Sequence, residues 1–179
     1  NVKNFSLITS VSNDFQLKNI NKTLLETKDE LKDMVKLIKS KDTDKIKLYI
    51  SCINECPIQG RINNKLIMDE LDYYIENYKD VIDEICLSDT CGTLFFCDIV
   101  AILDYINKYY GESIINKISL HLHKNNVDDN LTNIINYAQL LGVHKFDVSC
   151  LESGGCSMTI DKNKLNNNLH YDDIKKILF

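Results

Sequence analysis

The sequence predicts an α/β fold in which parallel strands are joined by crossover helices, either as an open sheet or as part of a (β/α)8 barrel. Three observations lead there. Apolar, β-branched runs of about six residues alternate with longer segments whose apolar residues recur at i, i+3, i+4 and i+7. Successive strand runs lie about thirty to forty residues apart, which is the room a strand, a crossover helix and two loops occupy. Polar side chains gather at the C-terminal end of each strand run, where both parallel architectures place their active sites.

Phe5-Ser6-Leu7-Ile8-Thr9-Ser10-Val11 reads as the first strand, followed by a polar loop through Asn13, Asp14 and Asn19. Thr23-Leu24-Leu25-Glu26 has the form of a capping box, in which hydroxyl and carboxylate satisfy early helical N–H groups. Leu31, Met34, Val35 and Ile38 then give one helix a core-facing stripe. The second strand is 46–51, and Leu66, Ile67, Leu71, Tyr74, Ile75 and Tyr78 line the next helix. The third strand, 82–88, ends on a polar tip, Asp89-Thr90-Cys91-Gly92-Thr93. A helix over about 97–110 leads to the fourth strand, 117–123. A helix from near Asp128 to near Gly142 leads to the fifth, 144–150. An Asn/Lys-rich loop at 161–168 and a last helix carrying Asp172, Asp173, Ile174, Ile177 and Leu178 complete the chain. Five strands in 179 residues cannot close an eight-stranded barrel, which takes about 250 residues. A single domain over 1–179 is expected.

Composition narrows the classes of function. Apolar residues make up 44% and charged residues 26%, a globular balance. A net charge of −5 gives no reason to expect a nucleic-acid surface. The densest basic stretch, Lys36 to Lys47, is interrupted by Asp42 and Asp44 and reads as a solvated face. No signal peptide or bilayer-length apolar run is visible, so no membrane partner is expected. The seven cysteines form no Cys-x-x-Cys pair, and an odd count without secretory features favours reduced thiols and a cytoplasmic protein. The first residue is Asn1 rather than methionine, as in a processed or truncated product.

The sharpest chemical signal is His121-Leu122-His123. Residues i and i+2 of a strand share a face, so both imidazoles point the same way, a start for a divalent-metal site. The competing reading is a structural pair, because two ligands are an incomplete set. Asp89, Glu152 and Asn168 are the available oxygen donors, and a mixed His/oxygen shell admits magnesium, manganese, iron or zinc. Gly154-Gly155-Cys156 is the second signal. The glycines allow a tight turn or a close approach to a ligand, and a thiol held there can act as acid, base or nucleophile. Its plain alternative is a loop with an incidental thiol. Cys52 to Pro57 reads as a structural or gating loop, and Asp89-Thr90 as a tip able to bind a substrate hydroxyl or orient a metal-bound water.

Several stretches, in order, resemble one family. They are Ser12-Asn13-Asp14-Phe15 with Lys18-Asn19-Ile20-Asn21; Tyr49-Ile50-Ser51-Cys52 with Cys56-Pro57 and Gly60; Glu84 to Thr90 with Gly92; His121-Leu122-His123; and Asp147 through Gly154-Gly155-Cys156. Together they resemble the hydroxymethylglutaryl-CoA lyases of the metal-dependent lyase and synthase barrels. The resemblance implies a partial (β/α)8 TIM barrel corresponding to strands 4 to 8. It implies Mg2+ or Mn2+ on His121, His123 and Asn168, catalytic roles for Cys156, His121 and Asp89, and cofactor-binding positions at Asn19, Ser51, Gly154 and Gly155. The implied substrate is an acyl-CoA thioester. The implied reaction is retro-Claisen cleavage of 3-hydroxy-3-methylglutaryl-CoA to acetyl-CoA and acetoacetate.

The chain also departs from the family. The family's first three strands, with an arginine and a metal-ligating aspartate, have no counterpart here. Lys124 follows the histidine pair where the family has aspartate, Ser157 replaces a proline, Glu55 replaces a glycine, and the interval from Cys156 to Asn168 is three residues longer. A catalytically inactive scaffold or binding protein is therefore the competing expectation, and a carbon–carbon bond-forming synthase a more distant third. In any of these, an open barrel predicts a homo-oligomer or a partner chain covering the exposed face.

Overall fold

The computed structural model describes residues 2–43, 45–124, 129–150 and 167–178. In chain order the elements are β1 (Asn4–Ser10), α1 (Asn13–Ile20), α2 (Leu24–Lys39), β2 (Lys45–Ser51), β3 (Glu55–Cys56), β4 (Gly60–Arg61), α3 (Asn64–Tyr78), β5 (Glu84–Ser88), α4 (Phe96–Tyr110), α5 (Glu112–Ile115), β6 (Ile118–His121), α6 (Asn130–Leu141), β7 (Lys145–Asp147) and α7 (Tyr171–Leu178). No helix of the described residues is long and apolar enough to cross a membrane.

Five strands form one parallel sheet in the order β1-β2-β5-β6-β7, with the small antiparallel hairpin β3-β4 beside it. The order never reverses. A doubly wound sheet changes direction at a switch point, whereas strands always added on the same side, through right-handed crossovers, keep every helix on one face. That is the winding of a barrel wall, and the fold is a partial TIM barrel.

Register divides the side chains into two sets. On the helix side, Leu7, Leu48, Ile85 and Ile118 stand in one row and Thr9, Ile50, Leu87 and Leu120 in the next. All eight are buried, and they pack against Leu31, Val35, Leu71, Tyr74, Ile102, Ile106 and Ile135 of the helices. The opposite, inner face holds Ser6, Lys47 and Glu84 in one row. Ile8, Tyr49, Cys86, Ser119 and Lys145 form a second, and Ser10, Ser51, Ser88, His121 and Asp147 a third at the strand ends. A closed barrel of this class is filled largely by branched aliphatics. This inner face is instead mostly polar.

Local sequence explains most boundaries. Thr23 accepts from the N–H of Glu26 at 3.2 Å while the Glu26 carboxylate accepts from the N–H of Thr23 at 2.8 Å, the expected capping box of α2. The segment read as a polar loop after β1 is instead the helix α1. Ser12 caps it through the N–H of Phe15 (3.1 Å), Asp14 sits in its first turn, and Asn21 closes it at a left-handed φ of 57°. β5 begins two residues later than its apolar run because the Asp83 carboxylate turns back to accept the N–H of Ile46 at 2.8 Å. β6 stops at His121, and the fifth strand run shortens to 145–147.

Candidate active site at the strand ends

The third inner row opens into a cavity of about 300 Å3, lined by Tyr49, Ser51, Ser88, Thr90, His121, His123 and Asn168, with Ile8 and Phe15 as apolar walls. The two imidazoles share it as the i, i+2 spacing requires, with ring centroids 5.3 Å apart and planes at 75°. Asn168 arrives from 45 residues further along the chain. The N–H of Leu169 donates to the carbonyl of Leu122 and the N–H of Lys124 to that of Asn167, both at 2.9 Å. This antiparallel clasp sets Asn168 opposite His123. The three side chains expected to hold a metal therefore meet in one cavity.

The donor set suits a divalent cation. Among the described residues, Asn168 Oδ1 and Ser88 Oγ, both on cavity-lining residues, are buried without a hydrogen-bond partner. An orphaned buried polar atom costs about 1–3 kcal/mol, a cost that a ligand bound in the cavity would offset. Two imidazole nitrogens and an amide oxygen accommodate Mg2+, Mn2+ or Zn2+. No group of three or more His, Cys, Asp or Glu side chains placed to hold a metal occurs among the described residues.

A charged network lies directly beneath. Lys47 Nζ is 2.6 Å from Asp147 Oδ1 and 2.7 Å from Glu84 Oε1. Tyr49 donates its hydroxyl to Asp147 Oδ2 at 2.7 Å, and His121 Nδ1 stands 3.8 Å from that same oxygen. Burial alone would raise the proton affinity of Asp147, but His121, Lys47 and Tyr49 outweigh it and hold the carboxyl well below the usual carboxylate range. Burial pushes the Tyr49 hydroxyl and the Cys86 thiol up to about 12, so both stay protonated.

Asp89 is buried at the tip of β5, where its Oδ1 accepts the N–H of Thr93 at 3.1 Å. Its carboxylate is thus engaged by the turn and is not among the cavity-lining side chains. Burial raises its pKa to about 6, against the opposing pull of the Leu94, Thr93 and Gly92 N–H groups and of His121. The folded state then holds a proton that the unfolded chain has released. Stability is expected to fall as pH rises from about 4 to about 6, by roughly 2–3 kcal/mol at most. Denaturant titrations of wild type and Asp89→Asn across that window measure it, and the variant should lose the slope. Asp147, with its lowered affinity, acts with the opposite sign and only below about pH 4.

Ser51 lines the cavity. Asn19 is exposed on α1, one turn beyond the cavity-lining Phe15. Gly154, Gly155 and Cys156, with Glu152, lie outside the described residues. Cys52 is fully buried at a left-handed φ of 62°, and its N–H donates to Thr90 Oγ1 at 2.8 Å, which fixes the neighbouring tip. Cys56 accepts from Ser12 Oγ at 3.1 Å, tying the second loop to the first. The parts played by Tyr49, Ser88, Lys47 and Asp147 were not anticipated. Once His121 is placed on the inner face, strand parity and a common register would have found them.

A singly wound parallel wall with two histidines and an asparagine at its C-terminal rim is the later part of a (β/α)8 barrel. Solved structures of similar shape include hydroxymethylglutaryl-CoA lyases. The lyase from Bacillus subtilis superposes with a TM-score of 0.81 at 23% identity, over 98% of this chain and 55% of its own. That from Pseudomonas aeruginosa gives 0.78 at 21%, over 99% and 55%. One from Acinetobacter baumannii, in complex with coenzyme A and 3-methylmalate, gives 0.78 at 21%, over 97% and 53%. The chain therefore has their fold and spans little more than half their length. No family model and no curated protein matches it.

Proposed function

We propose that this chain carries the metal-binding wall of a hydroxymethylglutaryl-CoA lyase-type active site, acting on an acyl-CoA thioester. The convergence of His121, His123 and the orphaned Asn168 Oδ1 on one cavity carries this reading. These three residues would hold Mg2+ or Mn2+. When bound, the cation supplies Lewis-acid polarisation of the substrate's hydroxyl and carboxylate oxygens.

The chain's own groups do the rest. Ser51, Ser88 and Thr90 line the cavity, and their hydroxyls would offer hydrogen bonds to substrate oxygens. Asp89 acts through the turn it holds, keeping Thr90 at the rim. In the retro-Claisen step a general base takes the C3 hydroxyl proton, the C3 oxygen becomes the ketone carbonyl of acetoacetate as the C2–C3 bond breaks, and the electron pair of that bond passes to acetyl-CoA as its enolate. The Cys156 thiol or a histidine of the pair returns a proton to that carbon. The reading includes self-association or a partner chain over the inner face, supported by Ile8, which is 59% exposed there.

A second reading, a binding or scaffold protein without turnover, is favoured by Lys124. It puts a cation, paired with Asp173 at 3.2 Å, immediately after the histidines. Calorimetric titration with Mn2+, followed by acetoacetate release from 3-hydroxy-3-methylglutaryl-CoA, separates the readings. Binding with metal-dependent release is the expected result. Binding without release selects the scaffold, and a folded protein that binds neither Mn2+ nor Mg2+ at millimolar concentration overturns the metal site.

A further inference from the structure

We infer that Asp147 is a positioning residue that fixes the tautomer and orientation of His121 and thereby prepares His121 Nε2 for a cation. The inference rests on the metal-site reading above and goes beyond it to a residue outside the ligand set.

The geometry is specific. Asp147 is the in-register neighbour of His121 on the inner face, so its position follows from the strand pairing rather than from a loop. Its two oxygens are held from two sides, Oδ1 by Lys47 at 2.6 Å and Oδ2 by Tyr49 at 2.7 Å. Lys47 is itself held by Glu84 at 2.7 Å. The carboxylate is therefore anchored before any ligand arrives. His121 presents Nδ1 to Oδ2 at 3.8 Å, and that nitrogen has no hydrogen-bond partner among the described residues. The gap is about 1 Å longer than a charge-assisted hydrogen bond, within reach of a small ring rotation. A carboxylate accepts and never donates. Its only productive partner on His121 is an Nδ1–H, which leaves the lone pair on Nε2. A ligating histidine whose second nitrogen is held in this way by a carboxylate is the general pattern at metal sites.

Asn in place of Asp147 tests the idea by inverting polarity at one atom. Lys47 is a donor, so it keeps the amide oxygen at the Oδ1 position. The amide NH2 then replaces Oδ2 and donates to His121 Nδ1, which drives the proton to Nε2. Long-range 1H–15N spectra of 15N-histidine protein, recorded without metal near pH 8, read the tautomer directly. The His121 resonance is assigned by its loss in His121→Gln. Wild type is expected to show the Nδ1–H form and Asp147→Asn the Nε2–H form. Mn2+ affinity should fall by about 10- to 100-fold in the variant. An Nε2–H form in wild type overturns the inference without recourse to any variant, as does an unchanged tautomer in folded Asp147→Asn. If wild type binds no Mn2+, the metal reading fails, while the tautomer measurement still decides whether Asp147 orients His121.

Discussion

Alanine at His121 or at His123 is expected to weaken Mn2+ binding by more than about 100-fold, because loss of a partner behind a ligand already costs up to about that much. Asn168→Ala should cost less, since a neutral amide oxygen is a poorer donor than imidazole to a transition-metal ion. None of the three side chains belongs to the apolar core, so the melting temperature without metal should stay within a few degrees of wild type. His123 is the one to watch, as it is only 5% exposed. Calorimetry of the three variants beside wild type checks the order. Equal affinity in all four proteins would mean that the cation, if bound, sits elsewhere.

Tyr74→Ala is expected to lower stability by about 3–5 kcal/mol, the range for removing a large buried ring. Tyr74 is fully buried on α3, packs edge-to-face on Tyr73 at 5.2 Å, and shares a 2.6 Å hydrogen bond with Thr9 Oγ1 of β1. It therefore joins the helix layer to the edge strand through both packing and polarity. Tyr74→Phe keeps the ring and orphans the buried Thr9 hydroxyl, at a cost of about 1–3 kcal/mol. Urea titration of both variants separates the two contributions. Equal losses would show that the ring contributes little beyond its hydroxyl.

How much of this was legible in the sequence depends on how far apart the deciding residues lie. The five strands and the helices α2, α3, α4 and α6 follow from periodicity and capping within windows of about fifteen residues, whereas the choice between an open sheet and a barrel wall does not. The shared face of His121 and His123 follows from the two-residue repeat of a strand. α1 was missed because its stabilisation is local and polar: Ser12 at one end, Asn21 at the other, and only Phe15 and Gln16 buried between. The hairpin β3-β4 was missed because two-residue strands leave no periodic trace. The Lys47–Asp147 contact joins residues 100 positions apart. It exists only because four strands share one register, which composition and motif spacing do not encode. The fold matches that of the lyases, as the resemblance implied. The glycine–cysteine run and the residues around it lie outside the described structure.

The clasp between 122–124 and 167–169 also makes distant parts of the chain open together. Asn168 reaches the cavity only while the amides of Leu169 and Lys124 keep their bonds to Leu122 and Asn167. The same short segment leads directly into α7, which packs on α6. Hydrogen exchange at Leu169 and Lys124 should consequently run at a common rate, set by the freeing of the C-terminal helix from its neighbour. A ligand that needs Asn168 draws on that opening equilibrium, so its binding free energy is spent partly on keeping the end of the chain in place.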